Sequence, residues 1–334
     1  MSKAYNVAVA GATGAVGREM IKTLEKRNFP VKNLKLLASS RSAGKKLTFK
    51  GTDITVEELT ADSFRGVDIA LFSAGGDISK QFRPAVVEAG AVMIDNSSAF
   101  RMEDDVPLVV PEVNPEDIKW HKGVIANPNC TTIIMLVAVA PLHRAKKLKR
   151  LVAATYQAAS GAGAKGMDEL LVQTRQLLNG EAIAPKAFAH RIGFNLIPHI
   201  DVFYDNGYTK EELKMVNESR KMLHYPELMV TCTCVRVPIL RAHSEALNME
   251  FEEDVTPEEV RAILAKAPGI TLVDDPANKR YPMPIDASEQ YNVLAGRIRQ
   301  DLSRHDKKGI DMFVSGDQVL KGAALNAVQI AELL

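Results

Sequence analysis

Cys130 is the residue of this sequence best placed to do covalent chemistry. It follows Ala126-Asn127-Pro128-Asn129, which extends a helix poorly, and precedes the long apolar run Thr131–Ala140. A thiol in the first turn of the helix predicted there faces backbone N–H groups that lack helical acceptors, and the positive end of the macrodipole. Both favour thiolate over a thiol whose pKa starts near ~8.5. The competing reading is a cysteine that only fills space in a core. Cys232 and Cys234, in the strand-like MVTCTCVRVP, fit that second reading better, because a lone C-x-C lacks a companion pair at zinc spacing. The seven histidines form no H-x-x-x-H pattern, and no metal is expected.

Partners for a reactive thiol lie further along. Tyr156-Gln157 ends a β-prone run and opens the Gly-rich stretch Ala158–Gly163; Gln157 could orient an acyl group, with Ser160 and Gly161 near a cofactor. Arg236 interrupts an otherwise apolar strand, where a guanidinium is costly without a partner; a substrate carboxylate is one, a structural Arg–Glu pair the other. His243, with an ordinary pKa near ~6.5, can act as acid and base at neutral pH; a surface histidine is the bland alternative.

A second site opens the chain. Gly11-Ala12-Thr13-Gly14-Ala15-Val16-Gly17 directly follows the strand-like Asn6–Ala10 and starts a helical pattern over about 15–27. Strand, glycine turn and helix N-terminus is the arrangement that binds a pyrophosphate, with Thr13, Gly14, Ala15 and Val16 around it. Gly11 permits the turn, Gly14 the approach of phosphate, Gly17 the close packing of helix on strand. The end of the second strand carries Ser39, Arg41 and Ser42 and no acid. An acid there would bind a ribose 2′-hydroxyl; hydroxyls and a guanidinium suit a 2′-phosphate. The cofactor predicted is NADP. Ser73-Ala74-Gly75 ends another strand and could line it from the opposite side, and Gln318 is the C-terminal candidate for a polar contact. A thiol beside a nicotinamide suggests aldehyde oxidation through a thioester.

These residues need two scaffolds, and 334 residues exceed what one core usually supports. Up to about residue 126, apolar strands (34–38, 69–73, 91–94) alternate with helical stretches such as 81–89, which implies right-handed crossovers and a mostly parallel sheet. From Leu148 the runs are long and β-prone, with a helix at 164–178 and a loop at 183–200. The fold class predicted is α/β: a Rossmann-type domain over 1–128, completed by an amphipathic helix within 318–334, and an α+β catalytic and dimerisation domain over 129–317 with a mostly antiparallel sheet. Residues 273–290 read as a surface loop. A net charge of +1 argues against a nucleic-acid partner. No apolar stretch reaches ~20 residues, so no membrane span is expected. Three cysteines and no secretory signal point to the cytoplasm.

The motifs GATGAVG, SSAFRM, VPEVN, NPNC, TYQAASGAG, FNLIPHID, CVRVP and HSE run in this order over nearly the whole chain. In them the chain resembles the aspartate-β-semialdehyde dehydrogenases. The resemblance implies NADPH-dependent reductive dephosphorylation of 4-phospho-L-aspartate to L-aspartate 4-semialdehyde, in the route to lysine, threonine, methionine and isoleucine, by a homodimer or homotetramer. It implies Cys130 as acyl-thioester nucleophile, His243 as acid/base, Gln157 as substrate orienter and Arg236 as carboxylate anchor. It also implies Arg101, Lys214 and Asn129 for phosphate and Glu211 for the substrate amino group. Gln318 stands where many relatives have Asn. Three rivals remain: an N-acetyl-glutamyl-phosphate reductase, a non-catalytic NADP-binding regulator, and a thiol hydrolase.

Overall fold

The computed structural model describes residues 4–334, so the first three positions of the N-terminal expectation lie outside the described residues. The chain divides into two compact units, one running to Asn129 and taking back Ala323–Leu334, the other Cys130–Gly322.

The first unit is built on a seven-stranded sheet. Its elements are β1 (Tyr5–Ala10), α1 (Ala15–Lys26), β2 (Val31–Ala38), β3 (Lys46–Phe49), β4 (Thr52–Glu58), β5 (Ile69–Phe72), α2 (Gly76–Glu88), β6 (Val92–Asp95) and β7 (Val124–Ala126). The strand order is β3-β4-β2-β1-β5-β6-β7, parallel throughout except the β3–β4 hairpin. β1 and β5 are apolar on both faces because both are covered, as parallel central strands require. α1 turns Gly17, Met20, Ile21 and Leu24 inward at helical spacing. The C-terminal helix Leu325–Glu332 belongs to this core: Ala327, Val328, Ile330 and Ala331 are buried with Val9, Leu36 and Ile94. The expectation of one strongly amphipathic helix over Lys321–Leu334 is corrected here. A π turn spans Leu320–Ala324, and the α-helix is buried on nearly all sides. Asn326 donates to the Val109 carbonyl and to Asn127 Oδ1 at 2.7 Å, which satisfies a polar group on the buried side.

The second unit holds α3 (Cys130–Lys146), β8 (Leu148–Gln157), α4 (Gly163–Leu178), α5 (Lys210–Met222), β9 (Met229–Arg236), β10 (His243–Phe251), α6 (Pro257–Leu264), β11 (Ile270–Leu272), α7 (Pro284–Ala287), β12 (Val293–Gln300) and β13 (Gly309–Gly316). Its six-stranded sheet runs β11-β12-β13-β10-β8-β9. Three of the five pairings are antiparallel, while β11–β12 and β8–β9 are parallel. α3 is buried along Thr131–Ala140 and packs on β8, β10, β12 and β13. Strand alternation then sorts the side chains. Leu151, Ala153, Thr155 and Gln157 of β8 are buried, whereas Val152, Ala154 and Tyr156 lie on the more open face. The 273–290 stretch contains two short helical turns within its loop.

Candidate active site

The chemical half of the site is assembled inside the second unit by the ends of three strands and two helix starts. Cys130 is the first residue of α3 and is partly exposed, so its thiol sits at a helix N-terminus and not within the core. None of the three cysteines is in a disulfide. Gly322 packs over Cys130: a Cβ there would lie 2.8 Å from Cys130 Cβ, so any side chain would displace the nucleophile. Cys232 and Cys234 are buried, and burial pushes both thiols well above the ordinary range, so neither offers a thiolate.

The backbone of one residue ties two of the predicted residues together. The Ala158 N–H donates to His243 Nδ1 at 3.0 Å, and the Ala158 carbonyl accepts from Arg236 Nη1 at 2.7 Å. This follows from register: β8 ends at Gln157, beside Arg236 at the end of β9, and the start of β10 pairs with it through Ser244–Tyr156. His243 has no exposed surface, which overturns the surface-histidine alternative. Burial first, then the Arg236 charge, pushes its pKa well below the ordinary value, so the ring is neutral at pH 7 and not poised near neutrality. With Nδ1 accepting, its proton resides on Nε2, the nitrogen turned toward Gly161. Gly161 is itself required, because a Cβ there would meet Arg236 Nη1 at 2.6 Å and His243 at 3.1 Å.

Arg236 is buried, and burial lowers its pKa against the raising fields of Glu211, Cys130 and Cys234. Glu211 and Lys214, which read in sequence as charges on a helix face, are built into the site by the first turns of α5. Thr209 caps that helix by accepting from Glu212 N, while the Glu212 carboxylate reaches back to Thr209 N. Glu211 is then buried and accepts from Gln157 Nε2 at 3.1 Å and from Lys214 Nζ at 3.0 Å. Lys214 also donates to Asp201 at 2.9 Å. Burial works against the Lys214 charge, but Glu211 and Asp201 outweigh it and raise its pKa. Gln318, also buried, accepts from Ala242 N at 2.9 Å and donates to Ser160 Oγ. Thr155, Ala158, Asp201 and Glu245 escaped the sequence reading. Only Thr155 left a signal there, lying two residues before Gln157 on one face of a strand.

The nucleotide half lies in the first unit and is largely backbone. Gly11 has φ +84°, and a Cβ on it would sit 2.3 Å from the Ser73 carbonyl oxygen. A Cβ on Gly17 would sit 2.2 Å from the Gly11 carbonyl oxygen, so helix and turn can approach only as glycines. Gly14 precedes α1, whose first turn, including Ala15 and Val16, carries no acid to repel an anion. Ser73-Ala74-Gly75 lies beside the turn through the Gly11–Ser73 approach and leads into α2. Ser39 and Arg41 are exposed and Ser42 half-buried in the turn after β2, with Thr13 Oγ1 3.4 Å from Ser42 Oγ. The cradle therefore fits a dinucleotide. Arg101 is buried and donates to the carbonyls of Asn127 and Asn96, and Asn129 is buried at the end of this unit. No group of acidic, histidine or cysteine side chains with the makings of a metal site occurs among the described residues.

A nucleotide cradle in one unit and a thiol, imidazole and paired cations in the other define an oxidoreductase of the semialdehyde dehydrogenase class. Residues 6–121 match the NAD-binding domain model of that class and 139–321 its dimerisation domain model. The chain is 55% identical to aspartate-semialdehyde dehydrogenase of Aquifex aeolicus, covering 99% of this chain and 98% of that one. It is 52% identical to the enzyme of that name from Bacillus subtilis, covering 100% and 98%. The structure of Vibrio cholerae aspartate semialdehyde dehydrogenase II complexed with ASA superposes with a TM-score of 0.96 at 48% identity, covering 100% of this chain and 98% of that one. That of the Candida albicans enzyme with NADP does so at 0.78 and 27%, covering 99% and 98%. The chain belongs to the aspartate-semialdehyde dehydrogenase family.

Proposed function

We propose that this chain catalyses the reversible reductive dephosphorylation of 4-phospho-L-aspartate to L-aspartate 4-semialdehyde and phosphate, with NADPH as reductant, in aspartate-family amino-acid biosynthesis. The observation that carries the reading is the Ala158 backbone, whose N–H and carbonyl hold His243 and Arg236 beside the Gln157–Glu211 pair. The thiolate of Cys130 attacks the acyl carbon; the bond from that carbon to the phosphate oxygen breaks, phosphate leaves with the electron pair, and a thioester remains. The bound nicotinamide cofactor supplies the hydride. His243 Nε2–H donates to the oxyanion that develops on the acyl oxygen. Any change in the ring's protonation state is coupled to the bond at Nδ1, because a second proton there must displace the Ala158 N–H. When the carbon–sulfur bond breaks, sulfur leaves as thiolate and the aldehyde is released.

Arg236 takes the substrate carboxylate and Glu211 its amino group. Arg101, Lys214 and Asn129 take the phosphate. Anchoring both ends of a short dianionic substrate fixes the acyl carbon, an effect that can reach ~7–11 kcal/mol. NADP over NAD rests on Ser39, Arg41 and Ser42 and the lack of an acid among Ser39–Lys45 after β2; Thr13, Gly14, Ala15, Val16, Ser73, Ala74, Gly75, Ser160, Gly161 and Gln318 complete the cofactor contacts. The open face of the second sheet, with Tyr156 and Phe313 6.0 Å apart, supports a homodimer or a tetramer built from it. No described helix is long and apolar enough to cross a membrane. Three thiols without a disulfide favour the cytoplasm.

The test is phosphate-dependent reduction of NADP and of NAD with L-aspartate 4-semialdehyde, run beside N-acetyl-L-glutamate 5-semialdehyde. The expected result is turnover of the four-carbon aldehyde with NADP favoured. Preference for the acetylated five-carbon aldehyde, or turnover independent of phosphate, overturns the reading.

A further inference from the structure

Gln157 is held at both ends of its amide. Thr155 Oγ1 donates to Gln157 Oε1 at 3.0 Å, and Gln157 Nε2 donates to Glu211 Oε1 at 3.1 Å. Thr155 has no exposed surface and Gln157 almost none, so water does not compete for either bond. Thr155 lies two residues before Gln157 in β8, which puts both on the buried face. Its neighbours across the sheet are Cys234 on β9 and Glu245 on β10. The hydroxyl donates to Gln157 Oε1 and also lies within hydrogen-bonding reach of the Cys234 thiol. Its remaining capacity is as an acceptor, which the Val235 N–H approaches at 3.4 Å.

This arrangement leaves the amide one orientation. Inverting it would set the amide oxygen against the Glu211 carboxylate, and the Thr155 hydroxyl, which can also accept, would have to turn away from its present donation. The amide oxygen is therefore occupied, one amino hydrogen goes to Glu211, and the other amino hydrogen remains. We propose that Thr155 is a positioning residue that fixes the Gln157 amide, so that Gln157 meets the substrate as a hydrogen-bond donor. The group it suits is then an anionic or developing-oxyanion oxygen of the acyl substrate, and not its ammonium. This rests on the aspartyl-phosphate reading above.

The experiment compares the full-length wild type with Thr155→Val, Thr155→Ala and Thr155→Ser in the phosphate-dependent direction, with melting temperature and NADP affinity measured alongside. Thr155→Val and Thr155→Ala are expected to lower kcat by about tenfold or more, the scale of a misplaced orienting group. KM for phosphate and NADP affinity should stay within about twofold. Thr155→Ser, which keeps the hydroxyl, should restore kcat to within about threefold of wild type. The proposal is overturned if either hydroxyl-less variant folds and keeps wild-type kcat, or if Thr155→Ser is as impaired as Thr155→Ala, which would make the role one of packing. Two hydroxyl-less variants keep the test alive if valine prevents folding. Wild-type turnover of the four-carbon aldehyde decides the functional reading separately, and the serine-to-alanine ratio decides this one.

Discussion

The two units handle anions in opposite ways. In the first, recognition is built mostly from backbone, with N–H groups at the start of α1 and glycines at 11 and 17 that no side chain could replace, helped by the side chains of Ser39, Arg41 and half-buried Ser42. In the second, it is built from buried or half-buried cations already matched from within. Lys214 lies between Glu211 and Asp201, and Arg236 rests on the Ala158 carbonyl in the field of Glu211. A backbone cradle offers its dipoles at no desolvation cost to a charge. A buried cation requires compensation in the resting protein, and substrate must outcompete that compensation. The first unit can therefore be rigid and local in sequence, whereas the second must draw on residues from 130 to 318.

If that division holds, either half can be disabled while the other keeps working. Cys130→Ser should lower phosphate-dependent turnover by about 10⁴-fold or more, as loss of a nucleophile does, while NADP affinity stays at wild-type level. Equal activity of the serine variant would remove the thioester from the reaction. The converse variant is Gly11→Ala. It meets a carbonyl oxygen at 2.3 Å and forces a positive φ, a conformation that alone costs about 1–2 kcal/mol. NADP affinity should fall by about 30-fold, with a mass-detected acyl adduct on Cys130 still forming from acyl phosphate. Loss of both together would show that the cradle also supports the thiol.

The same division decides what could be read from sequence. Gly11, Gly14 and Gly17 were legible because their demands are met within seven residues, and Cys130 because a helix start is a local event. The α1 and α4 segments were readable as helical stretches, and α3 as an unbroken apolar run after a loop that cannot extend a helix. The β3–β4 hairpin was not, because its turn is Lys50-Gly51, with φ +49° and +75°, in place of the usual Asn-Gly signal. β12 and β13 were also missed. β12 carries a register shift after Gly296, and its first four residues are all buried, so in-and-out alternation begins only at Arg297. Gly296 is needed there because a Cβ would lie 2.0 Å from the Val273 carbonyl oxygen. The burial of His243 and the Thr155–Gln157–Glu211 chain depend on which strands pair, and pairing register is not written in any one segment.

Glu245 tests compensation from the other side, because it has none. It is fully buried beside Thr155, and neither carboxyl oxygen has a hydrogen-bond partner. Burial raises its pKa well above the ordinary 4.5, so the native state keeps the proton where the unfolded chain loses it. Stability from this group is thus fully present below about pH 4.5 and declines as pH rises above it. Glu245→Met should stabilise the protein at pH 7 by about 1–3 kcal/mol, the cost of an unsatisfied buried polar group, and should flatten the pH dependence. Denaturant unfolding at pH 5 and pH 8 reads both. A less stable variant, or an unchanged pH slope, would mean that the carboxyl is satisfied within the protein.

Asp201 offers the finest distinction. Burial pushes its carboxyl up, but the hydrogen bond and charge of Lys214 outweigh this and hold it below the usual range. It is ionised at neutral pH and competes with any dianion that approaches Lys214. Asp201→Asn keeps an oxygen that can accept from Lys214 but removes the charge. If compensation is the rule in this unit, KM for phosphate should fall by about two- to fivefold, the scale of a partly solvated ion pair. The gain should shrink at high salt, where the charge is screened. A rise in KM for phosphate would instead make Asp201 the residue that aims Lys214, and the second unit would then resemble the first in relying on fixed geometry more than on balanced charge.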